Sequence, residues 1–211
     1  MGLGNWYEEH VVPRLIRCAC SGPAIMKLRE KVVPLASGAV LELGCGGGLN
    51  QPLYDPARIS SYAGVDPSAK GLEFARSAAE QKGWDHDIRH GTGEAIPFAD
   101  ESFDTVVCTF TLCSVQDPAQ TLREMRRVLR PGGNLLFAEH GAAPDADVAR
   151  WQGRIEPIWK RIAGGCHLTR PVGASIQRSG FELDPLGAQY APKVPRFAGW
   201  MEWGAATKSG A

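Results

Sequence analysis

An apolar run that passes straight into glycines, Leu41-Glu42-Leu43-Gly44-Cys45-Gly46-Gly47-Gly48, constrains this chain more than any other feature. Glycine has no Cβ, so it turns the backbone tightly and lets it approach a ligand closely. Placed between a strand and a helix, such a loop predicts a nucleotide-type ligand. The dinucleotide fingerprint G-x-G-x-x-G/A, started at Gly44, needs Gly or Ala at position 49, where Leu49 stands. That disfavours NAD and, with it, a hydride-transferring oxidoreductase. Asp66 follows the loop at about the 20-residue spacing of a carboxylate that accepts both hydroxyls of a ribose.

From Ala39 onward, short apolar runs alternate with longer helical stretches, the pattern of a parallel sheet covered on both faces. Strands are expected at 40–43, 61–65, 87–90, 105–109 and 134–139. Pro67-Ser68 opens a helix that Gly83 stops, and Asp117-Pro118 caps a second that runs to Leu129. Arg130-Pro131-Gly132-Gly133 has the composition of a turn. Val148, Trp151, Ile155, Ile158, Trp159 and Ile162 fall on one helical face, expected to meet the core, and Pro157 kinks that helix or starts another. Segments 181–186 and 197–207 suit a closing antiparallel hairpin. Residues 1–38 read as a helical cap of the same domain, broken at Gly22-Pro23.

Composition removes several classes of function. With 211 residues, 23 Lys+Arg against 23 Asp+Glu, 44% hydrophobic residues and a mean hydropathy of −0.19, the chain reads as one soluble globular domain. Zero net charge lacks the electrostatic footprint of a nucleic-acid binder, so no nucleic-acid partner is expected. No apolar run approaches the roughly 18–20 residues of a membrane span, and Glu8, Glu9 and His10 break the order of a signal peptide. A cytoplasmic protein without a transmembrane segment is expected. Cys18, Cys20, Cys45, Cys108, Cys113 and Cys166 form no C-x-x-C pair, and the histidines show no H-x-x-x-H spacing. No metal is therefore expected, since a site would have to gather ligands from distant segments.

Four blocks in order, E-L-G-C-G-G-G, G-V-D-P-S, G-T-G-E-A-I-P-F-A-D-E-S-F-D-T-V-V and R-V-L-R-P-G-G, together resemble the S-adenosylmethionine-dependent methyltransferases with a Rossmann-like fold. The resemblance implies an α/β three-layer sandwich around a seven-stranded, mostly parallel sheet with an antiparallel last strand, spanning 39–211. It also implies that Gly44, Gly46 and Gly48 border the methionine part of the cofactor, that Glu42 sits near its amino end and that Asp66 binds the ribose. Gly93, Glu94 and Ala95 border the adenine. Cys45, Pro67 and Thr109, in the loop or at carboxyl ends of strands, are placed in the same cofactor set. The flanks Y-E-E-H-V-V-P-R-L-I, L-C-S-V and E-P-I-W-K-R-I-A-G-G-C-H-L-T-R are similar to the methyltransferase-like protein seven group of alkyl thiol methyltransferases, and to bacterial relatives described as phospholipid methyltransferases. Animal members carry an apolar N-terminal anchor that is not seen here, so membrane residence does not carry over.

The activity implied is methyl transfer from S-adenosylmethionine to a small acceptor, first a partly apolar thiol. Alternatives are an amine or phospholipid headgroup and, in another class, a module that holds the cofactor without transferring it. Peripheral membrane contact stays open, as does the choice between monomer and homodimer. Direct transfer from a sulfonium needs alignment and dryness rather than a triad. A thiol acceptor with a pKa of about 8.5 gains from a nearby base or cation. Ligands of open α/β sheets bind at the carboxyl ends of strands, which selects the loop 109–115 and Glu139-His140. His140 is the candidate proton acceptor, against an orienting role. Cys166-His167 is a candidate acceptor-side pair, against a packed Cys beside an exposed His. Cys45 reads as a small filler, Cys108 as core, Cys113 as lining of the acceptor pocket, and Trp6, Tyr7 and His10 as a lid or a terminal anchor.

Overall fold

The structure, a computed structural model, describes residues 20–209. The strands are β1 (Gly38–Leu43), β2 (Ile59–Asp66), β3 (His86–His90), β4 (Phe103–Thr109), β5 (Leu129–His140), β6 (Phe181–Tyr190) and β7 (Trp200–Lys208), in one sheet of order β3-β2-β1-β4-β5-β7-β6. β1 to β5 pair in parallel, while β7 runs antiparallel to both β5 and β6. The expected seven-stranded α/β sandwich is therefore what forms.

Strand alternation sorts the core into two layers. Leu41 and Leu43 face a cluster with Leu122, Met125 and Val128 of α3 (Pro118–Val128) and Val172 and Ile176 of α5 (Val172–Arg178). Val40 faces the other cluster, with Leu28 and Val32 of α1 (Pro23–Val32) and Leu72, Ala75 and Ala79 of α2 (Ala69–Lys82). The helix starts follow local chemistry. Pro23 opens α1, the Ser68 hydroxyl accepts from the Gly71 amide before α2, and Asp117 accepts from the Ala119 and Gln120 amides before α3.

Four expectations change. The glycine loop leads into two short 3-10 turns, Cys45–Gly47 and Gln51–Leu53, rather than a helix. Gly44 and Gly48 are left-handed (φ +75° and +62°), and Pro52 and Pro56 lack the amides a helix requires. Second, residues 130–133 do not end the strand. Leu129 pairs with Phe103 and Asn134 with Thr105, so the intervening residues swing out as a bulge inside β5. Arg130 there binds Asp104, which also accepts from the Ala39 amide. Third, Phe197 lies in a short turn, α6 (Arg196–Gly199), entered through Pro195, and extended chain resumes at Trp200.

The fourth concerns α4 (Ala146–Ile162), one helix that contains Pro157. Its apolar stripe meets the core only in part: Val148 is buried and Ile155 and Trp159 are half-buried, whereas Trp151, Ile158 and Ile162 are 57%, 64% and 65% exposed. A polar side chain also docks this helix. Gln152, fully buried, accepts from the Ala143 amide and donates to the carbonyls of Gly141 and Phe197. Trp159 stacks edge-on against Phe197. Among the described residues no helix is long and apolar enough to cross a membrane.

Gln152→Ala strands three backbone groups, two of them buried and one half-buried. Each costs about 1 kcal/mol or more, so urea unfolding should show a loss of at least about 2 kcal/mol with an unchanged slope.

Candidate functional site

The carboxyl ends of β2, β1, β4 and β5 lie side by side, and the strand order reverses between β1 and β4. Open α/β sheets bind ligands outside such a switch point. Here Asp66 fixes the glycine loop: its carboxylate accepts from the Gly46 amide at 2.9 Å and the Ser68 amide at 2.8 Å. A Cβ on Gly46 would stand 2.5 Å from Asp66 Oδ2, so the loop and the acid require each other. Burial pushes the Asp66 carboxyl up, and the two amides pull it part of the way back. Across the switch point, a Cβ on Gly44 would run into the side chain of Thr111. Cys45 is fully buried with its sulfur packed at Gly64, so its backbone alone is left for a ligand.

Beneath the loop lies a buried polar network. Glu42 accepts from Tyr54 (3.0 Å), Tyr62 (2.9 Å) and Asn50 (3.0 Å). Asn50 also donates to Thr109 Oγ1, and Arg29 of α1 donates to both Asn50 Oδ1 and Thr109 Oγ1. The Glu42 carboxylate is thus satisfied within the protein. Burial pushes its carboxyl up, and Tyr62, Tyr54, Arg29 and Asn50 oppose this. Arg29 was not singled out from sequence. Its Nε is buried without a partner among the described residues, and the signal was a cation on the apolar face of α1, between Leu28 and Val32.

The expected adenine segment divides. Gly93 is buried against Thr121 and Ala95 is exposed. Glu94 accepts from the amides of Gln116 and Asp117 just ahead of α3, which gives it a helix-start role. Burial acts to raise its carboxyl, but hydrogen bonds from Asp117, Thr92 and Gln116 outweigh it and hold Glu94 low. Pro67 is exposed, and its carbonyl meets the His90 ring.

A second buried carboxylate, Glu139, orders the other side of the switch point. Its oxygens accept from the amides of Thr111 (2.7 Å), Leu112 (2.8 Å) and Cys113 (3.3 Å), gripping the loop after β4. Burial pushes the Glu139 carboxyl up, against those amides and His140. Next to it, His140 Nε2 meets Cys166 Sγ, and Cys166 Sγ lies 3.8 Å from Cys113 Sγ. Burial lowers the His140 ring, yet the bond to Cys166 and the charge of Glu139 carry it above its ordinary value. The adjacent Cys113 and burial push the Cys166 thiol well up. His167 departs from the expected pair: its ring turns to Glu156 at 2.9 Å, and its amide donates to the Cys113 carbonyl. Cys108 is core, as read. Trp6, Tyr7, His10 and Cys18 lie outside the described residues.

With this geometry established, comparisons with known proteins add independent information. Residues 41–137 match the sequence model described as a methyltransferase domain. The chain is 41% identical to human thiol S-methyltransferase TMT1B over 176 residues, 78% of this chain and 71% of that protein. It is 36% identical to the phosphatidylethanolamine N-methyltransferase of Cereibacter sphaeroides over 128 residues, 60% of this chain and 59% of that one. In fold it is similar to the YcgJ protein of Bacillus subtilis, with a TM-score of 0.68 at 17% identity, covering 96% of this chain and 100% of that chain.

Glu94 offers a check on the helix-start role. Its carboxyl is lowered in the folded state, so its stabilisation is present above the ordinary value of 4.5 and is lost as pH falls through its folded value. Urea midpoints at pH 6 and pH 3 should show Glu94→Gln less stable than the parent at pH 6, with the gap narrower at pH 3.

Proposed function

We propose that this chain, which belongs to the S-adenosylmethionine-dependent methyltransferases, transfers the methyl group to a small, partly apolar thiol. The 41% identity with human thiol S-methyltransferase TMT1B, over 78% of the chain, carries the choice of acceptor. The residues at the switch point fit the cofactor. Arg29 Nε is a buried donor in need of an acceptor, suited to the carboxylate of an amino-acid ligand.

S-Adenosylmethionine supplies, when bound, a methyl group activated on a sulfonium, which leaves alignment and the exclusion of water to the protein. Gly44, Gly46 and Gly48 would border its methionine portion, with Cys45 contributing backbone. Glu42 acts there as a positioning residue, orienting Arg29 through Asn50 and Thr109. Asp66 would accept the ribose hydroxyls, beside Pro67, and Gly93, Glu94 and Ala95 would border the adenine. On the acceptor side, Glu139 holds the loop 111–113 in place, and His140 and Cys166 face the incoming sulfur. Free thiols at all five described cysteines suit a reducing cytoplasm. A monomer or homodimer with no nucleic-acid partner completes this reading.

A second reading, transfer to a phospholipid amine, draws on the identity with the phosphatidylethanolamine N-methyltransferase. The exposed Trp151, Ile158 and Ile162 on α4 would favour peripheral membrane contact in that case.

Labelled S-adenosylmethionine offered with alkyl thiols, amines and phosphatidylethanolamine vesicles decides between the readings by product mass. A thioether is expected; methylated amine or headgroup with no thioether would overturn the thiol assignment. In calorimetry, Asp66→Ala should weaken cofactor binding roughly tenfold or more, and unchanged affinity would remove the ribose role.

A further inference from the structure

Three soft donors, far apart in sequence, meet outside the carboxyl ends of β4 and β5. Cys113 comes from the loop after β4, His140 from the end of β5 and Cys166 from the turn after α4, and their ligand atoms all lie within 4.8 Å of one another. The two sulfurs are 3.8 Å apart. Two thiolates on a tetrahedral zinc, each bonded at about 2.3 Å, stand roughly 3.8 Å apart, whereas the imidazole nitrogen, 2.5 Å from Cys166 Sγ, has to draw back by about 1 Å to take its own place on the ion. Both cysteines are buried, and His140 is partly open to solvent.

The segments that carry these donors are themselves braced, as a metal site requires of its supports. Glu139 holds the Cys113 amide. The His167 amide donates to the Cys113 carbonyl at 2.9 Å, tying the two cysteine loops together. Arg170 donates to the carbonyls of Leu112 and Val115 on either side of Cys113. The expectation of no metal rested on local spacing, and these ligands are 27 and 26 residues apart along the chain, as only the fold reveals.

We propose that Cys113, His140 and Cys166 form a three-ligand site for a soft divalent cation, zinc first, whose fourth position takes the acceptor thiol. Three protein ligands with an open position are the pattern of catalytic rather than structural zinc. The site stands on its own geometry, whereas the thiol in its fourth position rests on the methyl-transfer reading. Thr111, packed at Gly44 of the cofactor loop, is two residues from Cys113, so a sulfur held there lies on the methyl side of that loop. On binding the metal, the acceptor thiol releases its proton to solvent and becomes a thiolate at neutral pH. Its sulfur lone pair then forms the new S–CH3 bond as the sulfonium S–CH3 bond breaks. The electron pair of the broken bond stays on the cofactor sulfur. The product thioether is neutral and a poorer ligand than the thiolate, which favours its release.

The full chain, reduced and freed of metal with a chelator, is titrated with Co(II) alone and followed by absorbance. One equivalent should produce a thiolate-to-cobalt charge-transfer band and visible bands of a tetrahedral ion, all displaced by Zn(II). Cys113→Ser and Cys166→Ser should each lose the charge-transfer intensity progressively, with cofactor affinity by calorimetry reporting an intact fold. No band in the parent protein, or a band unchanged in both variants, overturns the site. So does a thiol titration that finds Cys113 and Cys166 joined as a disulfide in protein prepared under reducing buffer. An alkyl thiol added to the cobalt form should strengthen and shift the charge-transfer band, and an unmoved band overturns the fourth-position assignment. Because these readouts need no methyl transfer, failure of the metal site and failure of the thiol reading give different results.

Discussion

Buried charge is the constraint on which this site depends. Arg29, Glu42 and Glu139 are 5%, 2% and 0% exposed, and none of the three is tolerable alone in an apolar interior. Burial lowers the hold of Arg29 on its proton, and Cys20, Glu42 and Glu139 work against that loss. The guanidinium reaches its partners only if α1 lies on the sheet, so helix docking, the strand ends and the glycine loop are set together. Glu42 and Glu139 then act in opposite directions from β1 and β5, the two strands that flank β4. Glu42 orders the polar floor beneath the glycine loop, and Glu139 gathers the amides of the loop opposite.

Sequence carried the fold where the determinants are local. Ser68, Gly83 and Asp117 mark helix ends because caps act over three or four residues. The bulge in β5 was visible as turn chemistry, but not as an excursion inside one strand, because Phe103 and Thr105 decide that from across the sheet. The stripe on α4 misled because periodicity shows that a face is apolar without showing what covers it, and Gln152 supplies the docking.

In the site, Asp66 was legible because its partner glycines lie at a characteristic spacing. Arg29 meets Thr109 across 80 residues and Asn50 across 21, separations at which composition says nothing. Glu139 was selected with His140 only by its place at the end of a strand; it stands in an apolar run much as Glu42 does, and that oddity is the signal that could have marked it as a buried carboxylate. His140 and Cys166 were picked separately by position, and the fold joins them. The neighbouring His167 illustrates the limit: adjacent residues in a turn point apart, and Glu156 claims its ring.

The placement of β7 bears on how the molecule reaches this state. Its pairing with β6 closes over a short span, Tyr190 against Trp200, whereas even the nearest pair of its ladder with β5 joins His140 to Met201. Loop closure over the longer span carries the greater entropic penalty. Hairpin formation is therefore the cheap event and docking of the hairpin the expensive one, and β6 gains a place in the sheet only through β7. One edge of the domain behaves as a cartridge: it is assembled locally, then seated as a unit beside the strand that carries Glu139 and His140. Substitutions that loosen the β5–β7 seam would thus be felt at Glu139 and His140 even though they lie in the sheet's interior.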